Sequence, residues 1–142
     1  MSKTLSSPNV FKTVAIAVIL VLSRNITSAQ SNPWTVPKAA VDIKNPEPNN
    51  STTIKNGEVL YQSYCAPCHG KKGKGDGPAA ASLNPKPADH TSPEVQAESD
   101  GTLFYKISEG RNGTAMPPFK AVLHPDQRWA IVHYIRTLAK KH

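Results

Sequence analysis

The segment Cys65-Ala66-Pro67-Cys68-His69 constrains the fold more than any other feature of this chain. Two thiols three positions apart lie on one helical turn, where each can form a thioether with a vinyl group of a porphyrin. The histidine that follows then places an imidazole beside the iron. The pattern therefore predicts one covalently attached haem c, bound through Cys65 and Cys68, with His69 as an axial ligand of the iron.

Three other uses of a paired cysteine motif fit the chain less well. A thioredoxin-like dithiol needs a strand before it and a helix after it, whereas a helical pattern precedes this motif and a Gly/Lys loop follows. A structural zinc site needs four ligands, and the chain has only two cysteines, which leaves His124 and His133 to complete the set. A disulfide between Cys65 and Cys68 closes a small, strained ring.

Residues 1–29 have the pattern of a secretory signal peptide. Lys3 and Lys12 precede an apolar run over residues 14–22, and Ala29 ends a segment of small residues that suits cleavage. The run is shorter than the roughly 20 residues of a membrane-spanning helix, so a retained anchor is the weaker interpretation. We therefore expect an exported, periplasmic protein, soluble or loosely membrane-associated, with no membrane span in the mature chain.

Charge and composition divide the rest of the chain into two parts. The net charge is +7, and loss of residues 1–29 removes three basic residues and no acidic one, which leaves +4. This moderate excess does not indicate nucleic-acid binding. Residues 30–53 are rich in proline and asparagine and are predicted to form a leader or strap, whose docking the sequence leaves open. Residues 54–142 are predicted to form one small domain that a covalent porphyrin stabilises.

Three core helices are predicted in this domain. The first covers residues 55–64 and leads directly into the cysteines, and the second starts at Ser99 or Asp100 and ends at Gly110. The third runs from Pro125 to about Lys140. Loops rich in glycine and proline are predicted over residues 70–77 and 84–94, and no segment alternates as a strand does.

From residue 54 to residue 138 the chain resembles a single-haem class I cytochrome c of the bacterial type. Gly57 and Tyr61 match a glycine and an aromatic residue of that family's first helix, and Tyr134 matches the aromatic residue of its last helix, with Ile131 on the same face. The resemblance implies an all-α cytochrome c fold, with about three core helices and irregular loops around one covalently attached haem.

The resemblance also implies two further site residues. Thr114-Ala115-Met116-Pro117-Pro118-Phe119 matches the family's loop that supplies a methionine sulfur, so Met116 is the implied second axial ligand. The segment 73–78 matches the loop after the haem motif. There the family uses a proline carbonyl to accept the hydrogen bond of the proximal histidine ring, and Pro78 has that place.

Other polar residues have side chains that are suited to contact the cofactor. The histidines that compete with Met116 are interpreted as bystanders, with His133 expected on an exposed helix face: His90, His124, His133 and His142. Three residues have side chains suited to the haem carboxylates, although surface or core positions are equally compatible with them: Tyr105, Arg111 and Trp129.

These assignments predict a function in electron transfer. An iron with histidine and methionine ligands has no open position, which indicates a carrier of single electrons between respiratory redox partners and not an enzyme. The expected partners are an electron donor and a terminal oxidase or reductase, and the chain is expected to be a monomer. Two alternatives stay open. One is a haem enzyme or a gas- or peroxide-binding protein with a labile Met116, and the other is a fixed subunit of a respiratory complex.

Overall fold

The computed structural model describes residues 34–139. Within this range the chain forms helices and loops without a β-strand, which confirms the all-α fold class. The α-helices are α1 (Lys38–Val41), α2 (Ser51–Tyr64), α3 (Ala66–His69), α4 (Pro93–Ala97), α5 (Asp100–Glu109) and α6 (Pro125–Leu138). Two 3-10 helices cover Ala80–Ser82 and Phe119–Ala121. In this part of the chain no helix is long and apolar enough to cross a membrane. The predicted signal peptide, residues 1–29, lies outside the described range.

Helix α2 delivers the cysteine motif to the domain. It begins at Ser51, four residues before the predicted start, because Asn50 caps it: the Asn50 side chain accepts the Thr53 N–H at 2.9 Å. The polar residues that suggested a leader are thus the cap and the first turn of this helix. The helix ends at Tyr64, and α3 follows after Cys65. One short turn therefore holds both cysteines and His69.

Helices α2 and α6 cross in close contact at Gly57. A Cβ atom on Gly57 would lie 2.0 Å from the carbonyl oxygen of Ala130, so only glycine fits at this crossing. One turn further along α2, the rings of Tyr61 and Tyr134 have centroids 5.1 Å apart. Ile131 and Tyr61 are fully buried beside them. The contact that the resemblance implied is present.

The predicted second and third helices agree with α5 and α6. The predicted loop over residues 84–94 differs from the structure. Helix α5 is capped by Ser99, whose hydroxyl accepts the Thr102 N–H at 3.1 Å, and it ends at Gly110, which has φ 63°. The predicted loop 84–94 ends in an additional helix, α4, which begins at Pro93 after the capping residue Ser92. Only five residues long, α4 is too short for a periodic apolar pattern.

Residues 34–50, here called the docked strap, pack against α5 and α6. The Ser99 hydroxyl donates to the Val41 carbonyl at 2.7 Å, and the Asn45 side-chain amide donates to the Trp129 carbonyl at 3.1 Å. The ring nitrogen Nε2 of His133 lies 2.9 Å from the Glu47 carbonyl. His133 is therefore buried under the strap, which corrects the expectation of an exposed position.

Candidate haem-binding site

A cavity of about 320 Å³ lies beside α3 and α5, within the size range of ligand-binding cavities. Cys65, Cys68, His69 and Met116 all line it, so the structure brings these four predicted site residues together. Most of the remaining wall is apolar, and it includes Leu83, Leu103, Ile107, Phe119 and Ile135. Pro78 is not among the residues that line the cavity.

Both thiols of the cysteine motif are free and line this cavity. Burial, followed by the charge of Cys68, raises the pKa of the Cys65 thiol to about 12, so Cys65 is neutral at pH 7. A metal site would use the thiolate, and the described residues contain no cluster of three or more histidine, cysteine or carboxylate side chains able to hold a metal ion. Both thiols therefore lie in the cavity wall, where each can form a thioether with a bound porphyrin.

The proximal histidine is oriented by a carbonyl group that differs from the predicted one. His69 Nδ1 lies 3.0 Å from the carbonyl oxygen of Ala88, so the assignment of Pro78 to this role is wrong. The segment that contains Pro78 braces the backbone of the cysteine motif: the Gly77 N–H donates to the Cys68 carbonyl at 3.1 Å and the Ala79 N–H to the Pro67 carbonyl at 3.0 Å. Burial lowers the pKa of His69, and the bond to Ala88 opposes that effect. A neutral imidazole is the form that binds a metal.

A second buried histidine, His90, lies against His69. Their rings stack with centroids 4.1 Å apart and planes 16° apart, and the Tyr61 hydroxyl lies 2.9 Å from His90 Nδ1. His90 also lines the cavity, so it is part of the site and not the bystander that was expected. Sequence reasoning missed it because its position depends on a loop that returns to α2 and α3. The two prolines of the neighbouring segment 85–87 indicate only weakly that this loop lies at the cofactor site.

The burial of His90 predicts that acid destabilises the protein. Burial first, and then the charges of His69 and Lys106, hold the pKa of His90 well below 6.5. Below about pH 6.5 the unfolded chain therefore binds a proton that the folded chain does not, and the free energy of unfolding falls by up to about 1.4 kcal/mol per pH unit. We expect denaturant unfolding of the haem-loaded protein to show this slope between pH 6.5 and pH 5.

A His90→Gln variant provides the control for this pH dependence. Glutamine keeps a hydrogen-bonding group near Tyr61 but does not titrate. The free energy of unfolding should depend less steeply on pH in the variant than in the wild type. The carboxylates contribute equally to this dependence in both proteins. Equal slopes in the variant and the wild type would show that His90 is not the group responsible.

The loop that carries Met116 is held by short-range hydrogen bonds. The Arg111 N–H donates to the Met116 carbonyl at 3.0 Å, and the Met116 N–H donates to the Thr114 hydroxyl at 3.2 Å. Gly110 lies so close to Pro117 that a Cβ atom would be 2.5 Å from the Pro117 carbonyl carbon. The loop has little freedom, and it places Met116 in the cavity wall.

The other histidines are less well placed than Met116. His124 is exposed at the start of α6 and does not line the cavity. His133 is buried against the docked strap and does not line it either. His142 lies outside the described residues. Among the described histidines, only His69 and His90 reach the cavity, and they lie side by side.

One end of the cavity is charged. Arg111, one of the three candidates for the haem carboxylates, lines it, whereas Trp129 and Tyr105 do not: Trp129 stacks on Phe104 with ring centroids 3.9 Å apart. Lys106 also lines the cavity and forms an ion pair with Glu98. The Oε2 atom of Glu98 is buried and has no hydrogen-bond partner among the described residues. A buried unpaired oxygen is costly, so a group or water that enters the cavity can satisfy it.

The residues therefore fit a covalently held porphyrin. Two thiols, a neutral imidazole and a thioether surround an apolar cavity, and cationic side chains lie at one end of it. Apolar walls suit the porphyrin ring, whereas Lys and Arg suit its carboxylates.

Solved structures with a similar fold include a c-type cytochrome. A chain of the Kuenenia stuttgartiensis reducing HAO-like protein complex Kustc0457/Kustc0458 is 33% identical with a TM-score of 0.61; the match covers 69% of this chain and 48% of that one. The present chain thus matches about half the length of that protein. The KustC0563 c-type cytochrome is 31% identical with a TM-score of 0.51, over 58% of this chain and 95% of that one. A comparison with curated protein sequences finds no match.

A family model matches more than half of the chain. Residues 52–135 match the family described as cytochrome c oxidase, cbb3-type, subunit III. The match contains the whole cysteine motif, all of α5, and all but the first residue of α2 and the last three residues of α6. Together with the similar c-type cytochrome, it shows an electron-carrying protein with covalently bound haem c. The chain therefore belongs to this cbb3-type subunit III family and is a class I cytochrome c.

Proposed function

We propose that the protein is an exported single-haem carrier of electrons, with His69 and Met116 as the two axial ligands of the iron. The observation that supports this most directly is that both residues line the same cavity as the two cysteine thiols. Haem c supplies an iron that accepts and releases one electron at a time. With both axial positions filled by protein side chains, no position is left for a substrate, so we propose that the chain is not itself an enzyme.

The surroundings of the two ligands favour the reduced iron. His69 is held by Ala88 through Nδ1, which leaves Nε2 as its ligand atom. The thioether of Met116 raises the reduction potential, and the apolar wall has the same effect because it disfavours the additional positive charge of the oxidised state. We therefore expect a moderately positive reduction potential.

Carbon monoxide tests the closed coordination. If His69 and Met116 fill both positions, reduced wild-type protein should show no spectral change with this gas, whereas Met116→Ala should bind it readily. Binding by the wild type would favour the alternative, a haem enzyme or gas-binding protein in which Met116 is labile. Binding of carbon monoxide by Met116→Ala is the positive control. It shows that the gas reaches the iron once the sulfur ligand is removed, so that a lack of binding by the wild type reports a closed iron.

The partners are proposed to be redox proteins. Transfer of a single electron between two proteins needs only a brief contact, so the expected interface is small. The similar Kuenenia stuttgartiensis chain is part of a protein complex, which supports a role within an assembly as the alternative to a free monomeric carrier. Export to the periplasm rests on the pattern of residues 1–29, outside the described part of the chain.

Basic residues near the motif loops are proposed to attract an acidic partner. Lys71, Lys72 and Lys74 are exposed in the loop after His69. Two further lysines of this group are already engaged: Lys86 donates to the Ala80 carbonyl at 3.0 Å, and Lys120 pairs with Glu109 at 2.6 Å. The three loop lysines are therefore the stronger candidates for partner contact.

Salt should slow electron transfer to an acidic partner if these lysines guide the encounter. We expect the second-order oxidation rate to fall as ionic strength rises from about 0.05 M to about 0.5 M, because screening weakens the attraction. Lys72→Ala should reduce the low-salt rate, whereas Lys55→Ala, on α2, should leave it unchanged. A rate that does not respond to salt would remove the support for electrostatic attraction.

A further inference from the structure

We propose that the docked strap is a structural wall of the haem cavity, and that its Trp34 shields the haem carboxylates together with Lys106 and Arg111. Residues 34–50 lie entirely outside the segment that matches the family model, which begins at residue 52. The proposal requires the covalently bound haem but does not depend on Met116 as a ligand.

The strap is fixed to the domain at several points along its length. Val41, Asn45 and Glu47 are each hydrogen-bonded to α6 or to the cap of α5. Gly101 of α5 fits under the strap so closely that a Cβ atom there would lie 2.0 Å from the Ala40 carbonyl oxygen. A segment held by these contacts carries Trp34 to a defined place.

Trp34 lies at the charged end of the cavity. It lines the cavity, and its ring is within cation–π distance of two basic groups: Lys106 Nζ at 5.2 Å and the Arg111 guanidinium carbon at 5.6 Å. The indole therefore covers the two cations on one side. Such contacts gain strength when they are shielded from water.

The same two cations can bind the carboxylates of the haem. The described cavity wall contains three basic side chains, Lys86, Lys106 and Arg111. The Lys86 ammonium group donates to the Ala80 and Ala81 carbonyls, both at 3.0 Å. Lys106 pairs with Glu98, and its ammonium group has further N–H donors for a carboxylate. Lys106 and Arg111 are the pair that Trp34 covers, and arginine and lysine bind carboxylates strongly.

Loss of this wall has a predictable consequence. Water that reaches the charged end of the haem stabilises the oxidised state, because the oxidised state carries one more positive charge. Trp34→Ala should therefore lower the reduction potential, and Trp34→Phe should restore most of it because phenylalanine keeps an aromatic face. Ile43→Ala, a half-exposed strap residue outside the cavity wall, is the matched control and should have no effect.

A second variant acts on the strap from outside the cavity. In Gly101→Ala the new methyl group displaces the Ala40 carbonyl, so the strap should leave the domain. Trypsin should then cleave haem-loaded protein after Lys38 and Lys44 at least about tenfold faster than in the wild type, because local opening controls such cleavage. The reduction potential should fall as it does in Trp34→Ala.

The outcome separates this inference from the proposed axial ligands. A lower potential in Trp34→Ala and Gly101→Ala, with the absorption band of the sulfur–iron bond retained, supports the wall. Unchanged potentials in both variants, or equal cleavage in Gly101→Ala and wild type, would overturn it. A wild-type protein without that band would contradict Met116 ligation alone, and the comparison of potentials would still test the strap.

Discussion

Replacing Met116 with alanine is expected to lower the reduction potential on the order of 0.2 V, within the total range of about 0.8 V that axial ligands produce. Thioether sulfur stabilises reduced iron, and without it water or another weak ligand takes its place. The sequence has only one other methionine, Met1, so apart from it no methionine sulfur is available to replace Met116. A redox titration of the purified haem-loaded variant measures the change.

Met116→Leu separates the loss of the ligand from the loss of packing. Leucine has nearly the volume of methionine, so it preserves the apolar wall. The potential should fall in this variant by about as much as in Met116→Ala. A wild-type potential in Met116→Leu would mean that Met116 acts by filling space and that a different group ligates the iron.

Gly57→Ala is expected to destabilise the domain strongly. The added Cβ atom would lie 2.0 Å from the Ala130 carbonyl oxygen, so α2 and α6 must separate. Separation would also disturb the contact of Tyr61 with Tyr134. Overpacking of this kind costs about 3 kcal/mol, more than the gain of about 1 kcal/mol in helix propensity. Guanidinium unfolding followed by circular dichroism should show a net loss of about 2 kcal/mol or more.

Val59→Ala is the matched control on the same helix. Val59 is 57% exposed, two residues from Gly57, and does not contribute to the crossing. Its replacement should change the free energy of unfolding by less than about 0.5 kcal/mol. Equal stability in Gly57→Ala and Val59→Ala would show that α2 and α6 can adjust their separation at little cost.

Features that depend on neighbouring residues were predictable from the sequence. The cysteine motif, the cap at Ser99 and the terminal glycine of α5 each follow from residues within a few positions of one another. The crossing of α2 and α6 was predictable only through the family resemblance, because Gly57 and Ala130 are distant in the chain. The start of α2 was missed because a polar run served as its cap and first turn.

Features that depend on returning loops were not predictable. The acceptor for His69 is Ala88, 19 residues away, and no local pattern distinguishes its carbonyl from that of Pro78. His90 enters the site through the same loop, where it meets both His69 and Tyr61. Trp34 reaches the cavity only because the strap is fixed along α5 and α6. In each case tertiary packing selects among backbone groups or side chains that are locally equivalent.

The absorption spectrum of the oxidised wild-type protein tests the central assignment most directly. A bond between methionine sulfur and ferric iron gives a weak charge-transfer band at the red end of the visible spectrum. We predict that the wild type shows this band and that Met116→Ala and Met116→Leu both lack it. A high-spin spectrum without the band in the wild type would contradict a closed His69/Met116 carrier and would indicate an iron that is open to an external ligand.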